Sequence, residues 1–261
     1  MSERITAANL DEVIKKNEEV RTQIMKNVSL IWSCHNPMQI NSPIQLALQI
    51  LKLYGLIQLP IDNQYLSGAI FIRDGKKIPL INTALPRANQ YFTAWHEIYH
   101  LLFDNISFDH LIEAETLMEE RKAECFAALM LLGNLMPYFN GLRDMDFQSK
   151  IFQCMNAFQV PYKAVLISLY EEAVKNGNME IAEAVRDNFD IQIDDMVHKF
   201  RDLGLDDSLV SPSYVINVSL LQDKINKTIR IEPEVSYHRD NEMFLKNVLN
   251  EFKILTGDID A

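Results

Sequence analysis

The chain has 261 residues, enough to bury a sizeable core as one large domain or two smaller ones. Hydrophobic residues at 48% and charged residues at 23% place it among ordinary globular proteins. A net charge of -11 argues against a surface built to coat nucleic acid or anionic lipid. Three cysteines (Cys34, Cys125 and Cys154) are odd in number and scattered, which suits free thiols rather than a disulfide framework. The polar start of the chain is unlike a signal peptide, and the longest apolar run, Cys125 to Gly133, is too short to span a bilayer. A cytoplasmic protein is expected.

Apolar residues at helical spacing (Leu10, Val13, Ile14, Val20, Ile24, Val28) predict a helix from about Ala7 to Trp32. Ser42 as N-cap with Pro43 at the first helical position predicts a second, ending near Gly55. Gly68 to Arg73 reads as a strand, Asp74-Gly75 as a tight turn, and Lys77 to Asn82 as the return strand. Pro79 cannot donate to a ladder, so the return strand is expected at an edge or with a bulge. This hairpin is the one convincing β signal.

From Pro86 onward the pattern is helical. One helix is expected over Pro86–Asp104. Another starts between His110 and Thr116, where Thr116 and Glu119 have capping-box spacing, and runs to about Leu132 or beyond. Further helices are expected over Phe147–Phe158, Tyr162–Lys175, Met179–Asn188, Ile193–Leu203 and Asn241–Leu255, with joints at Val160-Pro161, Asn176-Gly177, Gly204 and Pro212. A change of character near Asn140-Gly141 and a weaker one near Asp206-Asp207 suggest three units. These are an N-terminal domain over 1–140, a helical region resembling a helix–turn–helix over 141–205, and a C-terminal region over 206–261.

His96-Glu97-Ile98-Tyr99-His100 is H-E-x-x-H within the helix expected from Pro86. Residues four apart on a helix lie one turn up and roughly 40° round, so both imidazoles face the same way. That spacing lets two ring nitrogens reach one Zn²⁺, while Glu97 leans over the ion as general base for a water the metal would acidify. The flanking Phe92, Trp95, Leu101, Leu102 and Phe103 bury this helix, and two buried imidazoles with a carboxylate are costly unless satisfied. A catalytic zinc takes a third protein ligand. No third His stands at the spacing of the extended motif, since positions 103 and 106 are Phe and Ile. A glutamate from the next helix, among Glu113, Glu115, Glu119, Glu120 and Glu124, is the better source.

Asn82, then Arg87-Ala88-Asn89-Gln90-Tyr91-Phe92-Thr93-Ala94-Trp95 leading into the motif, resembles the ImmA/IrrE family of metallo-endopeptidases. So does Glu120-Arg121-Lys122-Ala123-Glu124-Cys125-Phe126-Ala127, which matches its second signature, E-x-x-A-x-x-F-A. The resemblance covers about 57–137, with a weaker echo at Phe158–Val165. It implies a mainly helical α+β fold: a zincin-like metallopeptidase core with a small twisted sheet, then a helical C-terminal region. It also implies Glu120 as third ligand beside His96 and His100, Glu97 as the catalytic base, and a protein substrate such as a helix–turn–helix transcriptional repressor. The sequence departs from the family at Tyr99, where a small residue is usual, and at Met136-Pro137, which comes several residues late.

Other groups carry weaker signals. Cys34-His35 are sequence neighbours that would rarely face each other as a catalytic pair. Cys125 reads as a small core side chain, and Tyr91, Tyr99 and Tyr138 as possible oxyanion donors. The Tyr162–Lys175 helix balances Lys163 and Lys175 against Glu171 and Glu172, which favours packing over DNA contact. Two other functions fit the motif: a non-catalytic zinc-containing protein-binding module, and a zinc hydrolase acting on a non-peptide bond.

Overall fold

The computed structural model describes residues 4–73, 75–104 and 117–255. Helix α1 (Leu10–Cys34) buries Leu10, Val13, Asn17, Val20, Ile24 and Ile31, steps of three, four and seven that keep one face inward. Helix α2 (Pro43–Leu53) starts as expected: the Ser42 side chain accepts from the Gln45 amide and Pro43 fills the first position. Gly55, at φ +88°, turns the chain out of it.

Three strands follow: β1 (Ile57–Leu59), β2 (Gly68–Arg73) and β3 (Lys76–Asn82). Their order is β1-β3-β2, with β1 parallel to β3 and β2 antiparallel to it. The hairpin forms where expected, but its return strand is the middle of the sheet and not an edge. The neighbour is the three-residue β1, too short to carry a period. Its ladder begins at Ile57↔Leu80, one residue past Pro79, so the proline sits where β3 has a strand on one side only. No bulge interrupts the continuous register from Gly68↔Ile81 to Arg73↔Lys76.

The remaining elements are α3 (Arg87–Phe103), α4 (Met118–Leu131), α5 (Leu135–Gly141), α6 (Phe147–Phe158), α7 (Tyr162–Lys175), α8 (Met179–Phe189), α9 (Met196–Asp202), α10 (Ser219–Ile231) and α11 (His238–Leu255). The chain is thus mainly helical with a small mixed sheet. Helices α6 and α7 have the bounds expected, and the turn between them is made by Gln159 in the left-handed conformation. Helices α5 and α10 were not expected from the sequence. The start of the helix expected before α4, with His110, Glu113, Glu115 and Thr116, lies outside the described residues, as does Asp74.

One apolar cluster, running from Ile5 to Val210, joins α1 to α9 and continues across Asn140-Gly141. Helix α3 lies within it, packed on α2, α4, β2 and β3. Trp95, Tyr99 and Phe103 meet Phe126 of α4 edge-on or tilted, with ring centroids 5.6–5.9 Å apart. The buried Asn82 at the end of β3 is fully used. Its Oδ1 accepts from Ile61 and Ala84, and its Nδ2 donates to the carbonyls of Ile61, Asn63 and Leu66. This ties down the loop that feeds β2.

After a short 3-10 turn at Asp207–Val210, residues 211–218 run back over the sheet as a strap. Asn217 bridges Gln58 on the outer side of β1, Pro212 bridges Pro86, and the Thr83 hydroxyl donates to Val215 O at 2.9 Å. The backbone amide and guanidinium of Arg87, at the start of α3, donate to Ser211 O and Ser208 Oγ. No described helix is long and apolar enough to cross a membrane.

Candidate metal centre

Helix α3 presents His96 and His100 toward Glu120 of α4, beside the aromatic residues that pack on Phe126, and turns Glu97 toward Gly68 of β2. His96 Nε2 and His100 Nε2 lie 3.1 Å apart. Glu120, in the first turn of α4, brings Oε2 to 3.2 Å from His96 Nε2 and Oε1 to 3.7 Å from His100 Nε2. One ligand atom from each of the three residues lies within 4.8 Å of the others. Donors around a tetrahedral zinc at 2.0–2.1 Å stand about 3.3 Å from one another, so these separations suit a single ion. Two imidazoles and a carboxylate are also a donor set that leaves a fourth position open. The residues therefore fit the metal that the sequence motif implies.

The other ring nitrogens are occupied too. His96 Nδ1 lies 3.4 Å from Glu124 Oε1, and His100 Nδ1 lies 3.0 Å from Asp104 Oδ2. With an ion bound, a carboxylate behind each ring would favour a proton on Nδ1 and leave the Nε2 lone pair for the metal. Asp104 was not singled out in the sequence. The signal was available, because it stands one helical turn beyond His100. The rival glutamates separate by geometry: Glu119 turns away to Lys122 at 2.8 Å, and Glu124 reaches His96 from its outer nitrogen.

Burial pulls the His96 imidazolium down, but Glu120 and Glu124 outweigh it and hold the ring well above its usual value. Burial lowers His100, with the neighbouring His96 adding to the effect. Carboxylates that favour a proton on His96 equally favour a divalent cation in its place. Glu97 is 7% exposed, and burial pushes its carboxyl up to about 7. A cation beside it would draw that value back down.

Gly68, the first residue of β2, closes over Glu97. A Cβ there would stand 2.6 Å from both Glu97 Oε1 and Thr93 Cγ2. Only a glycine lets the strand approach this closely. Lys77 of β3 reaches the other end of α3 and donates to the carbonyls of Leu101 and Asp104. The hairpin thus holds the helix at its middle and at its C-terminal end. Nothing among the described residues pairs with the outer edge of β2, whereas the outer side of β1 is taken by Asn217.

The remaining candidates lie apart from this centre or serve packing. Tyr99 is buried in the aromatic cluster with its ring 5.8 Å from that of His100, and burial raises its phenol. Tyr138 stacks edge-on with Phe158, and Tyr91 is half-buried against the core. Cys125 is buried and its thiol is pushed up to about 12, which leaves it unreactive. Cys34 is exposed, with its sulfur 3.5 Å from Ser33 Oγ. Helix α7 packs against α1, α5, α6 and α8. Comparison with family models, with curated proteins and with solved structures finds no match to this chain.

Proposed function

We propose that the chain is a zinc-dependent endopeptidase, with His96, His100 and Glu120 holding the ion and Glu97 as catalytic base. The observation that carries this reading is the convergence of both His Nε2 atoms and the Glu120 carboxylate beside a buried Glu97. Zinc held there would supply Lewis acidity and acidify water at its open position. Glu97 takes a proton from the attacking water and delivers it to the leaving amine. The apolar wall of α3 and the close passage of Gly68 limit water around that carboxylate. A scissile segment in extended form could lie along the unpaired edge of β2, which places its backbone next to Glu97.

A sheet edge beside the H-E-x-x-H helix, with the third carboxylate from the following helix, supports a zincin-like core. The resemblance to the ImmA/IrrE family supports a regulatory protein, such as a helix–turn–helix repressor, as substrate; that step is analogy. Three thiols without a disulfide suit the cytoplasm. A purely structural zinc site has no use for a buried carboxylate next to its first ligand, which disfavours a non-catalytic module.

The test pairs metal analysis with cleavage of a proteome-derived peptide library read by mass spectrometry. Glu97→Gln should keep about one zinc per chain and lose 10²–10⁴-fold in cleavage rate, roughly the worth of a general base. His96→Ala should lose the zinc. Undiminished cleavage by the Glu97→Gln variant would overturn the mechanism, and unchanged zinc in His96→Ala would remove the site.

A further inference from the structure

Strand β2 forms the open edge of the sheet. Asn82 N donates to Ser67 O at 2.9 Å, and the register then runs from Gly68↔Ile81 to Arg73↔Lys76. Bonded pairs recur at every second residue of an antiparallel ladder. Ala69, Phe71 and Arg73 therefore spend their backbone groups on β3, opposite Leu80, Ile78 and Lys76. Gly68, Ile70 and Ile72 turn N–H and C=O outward, where nothing among the described residues pairs with them. Pro79 fits the same alternation: it stands opposite Ile70, so its missing N–H falls on the side away from β2.

Sheet edges are usually guarded by proline, by charge or by shortness, because bare ones invite unwanted strands. Strand β2 has six residues, no proline, and no charge before Arg73. It also carries an aromatic ring in the open: Phe71 is 56% exposed, while its neighbour Ile70 packs on the core. Side chains alternate along a strand, so Gly68, Ile70 and Ile72 share the face toward α3, and Phe71 stands on the other. The start of this edge adjoins the candidate centre, where Gly68 closes over Glu97. Alternating free donors and acceptors are matched by a second extended backbone, and one laid here runs past that carboxylate. Opposite Phe71 the added strand makes a non-hydrogen-bonded pair, the kind in which side chains come closest.

We propose that Phe71 sets the sequence preference of this edge. The polypeptide segment laid along β2 carries an aromatic or β-branched residue opposite Phe71, about three positions from the bond beside Glu97. The choice of a polypeptide as occupant rests on the peptidase reading, but the docking is tested by binding alone.

The test is selection from a displayed library of random peptides by the full-length Glu97→Gln chain with zinc added, then fluorescence anisotropy of the selected peptides. They should share one aromatic or β-branched position. Phe71→Ala should weaken their binding about two- to tenfold, the worth of one aromatic pair. Phe71→Lys, used in a second selection, should exchange that apolar residue for aspartate or glutamate. Phe71 is exposed, so neither substitution removes core packing. Failure to enrich any peptide, a set without a shared apolar position, or the same preference in Phe71→Lys would each overturn the proposal. So would a dimer in sedimentation that Phe71→Lys dissociates, because the edge would then belong to a second copy. Peptides that bind as expected but resist the zinc-loaded wild type would leave the docking in place and overturn the peptidase reading.

Discussion

The body of the molecule up to Val210 and the α10–α11 hairpin beyond it are both helical, yet they are held in opposite ways. Helix α3 alone buries ten residues, and its neighbours share one apolar cluster that ends at Val210. Helix α10 buries none, and in α11 the buried positions among the described side chains are His238 and Leu245. Leu220, Leu221, Ile231, Met243 and Phe244 stand 40–67% exposed there. Metal ligands must be held within about half an ångström, and only the first kind of surroundings does that. The hairpin is amphipathic and touches the body through Leu220, which lies over Gly55, and among the described residues it places nothing at the metal centre.

The largest effect should come from the body. Trp95→Ala removes a side chain with no exposure that packs on Phe126 one residue before His96. It should destabilise the protein by about 3–5 kcal/mol in denaturant unfolding, the usual cost of deleting a buried aromatic. A loss below about 1 kcal/mol would break the contrast between the two regions. Next comes Gly68→Ala, which forces a methyl group to 2.6 Å from Glu97 Oε1. Displacing a catalytic group by about an ångström costs on the order of 10²-fold in rate, so cleavage should fall by that much with zinc content unchanged. Normal cleavage would mean that β2 does not hold Glu97 in place.

A smaller effect is expected at the other region. Deleting residues 219–261 leaves the strap and its bridges to Gln58 and Pro86 intact. Unfolding free energy of the body should change by less than about 1 kcal/mol, the range of surface changes away from packed features. A larger loss would show that the hairpin stabilises the strap and, through Arg87, the start of α3.

The same contrast governs how much the sequence told. Where one face of a helix is buried in a shared core, the period is clean, and α6 and α7 could be bounded to the residue. The candidate metal centre was legible because H-E-x-x-H places two imidazoles on one helix face by geometry alone. Glu120 was chosen among five glutamates by resemblance, and its position beside both Nε2 atoms is a matter of how α4 packs on α3, which no spacing encodes. Helix α10 was missed despite its amphipathic pattern: Pro212 marks a joint, and no element was expected between it and Asn241. Strand β1 was missed because three residues carry no alternation, and its absence made Pro79 look like an edge residue. The strap could not be foreseen: its contacts join residues more than a hundred positions apart.

The smallest effect belongs to the surface ion pairs. Asp11 accepts from Tyr170 at 2.7 Å and from Arg186 at 2.6 Å, joining α1 to α7 and α8. Those two contacts, the Tyr170 hydroxyl first, hold its carboxyl below the usual value of 3.8. A carboxylate lowered on folding stabilises the protein above its unfolded pKa, and that contribution disappears as pH falls through the folded one. Asp11 is 68% exposed, so solvent screening should keep the gain well under about 1 kcal/mol. Asp11→Asn should therefore melt slightly below wild type at pH 7, and the gap should close as pH falls through the lowered folded value. A gap of several kcal/mol at pH 7, or one that widens in acid, would mean that the body depends on its surface charges and not on the cluster beneath them.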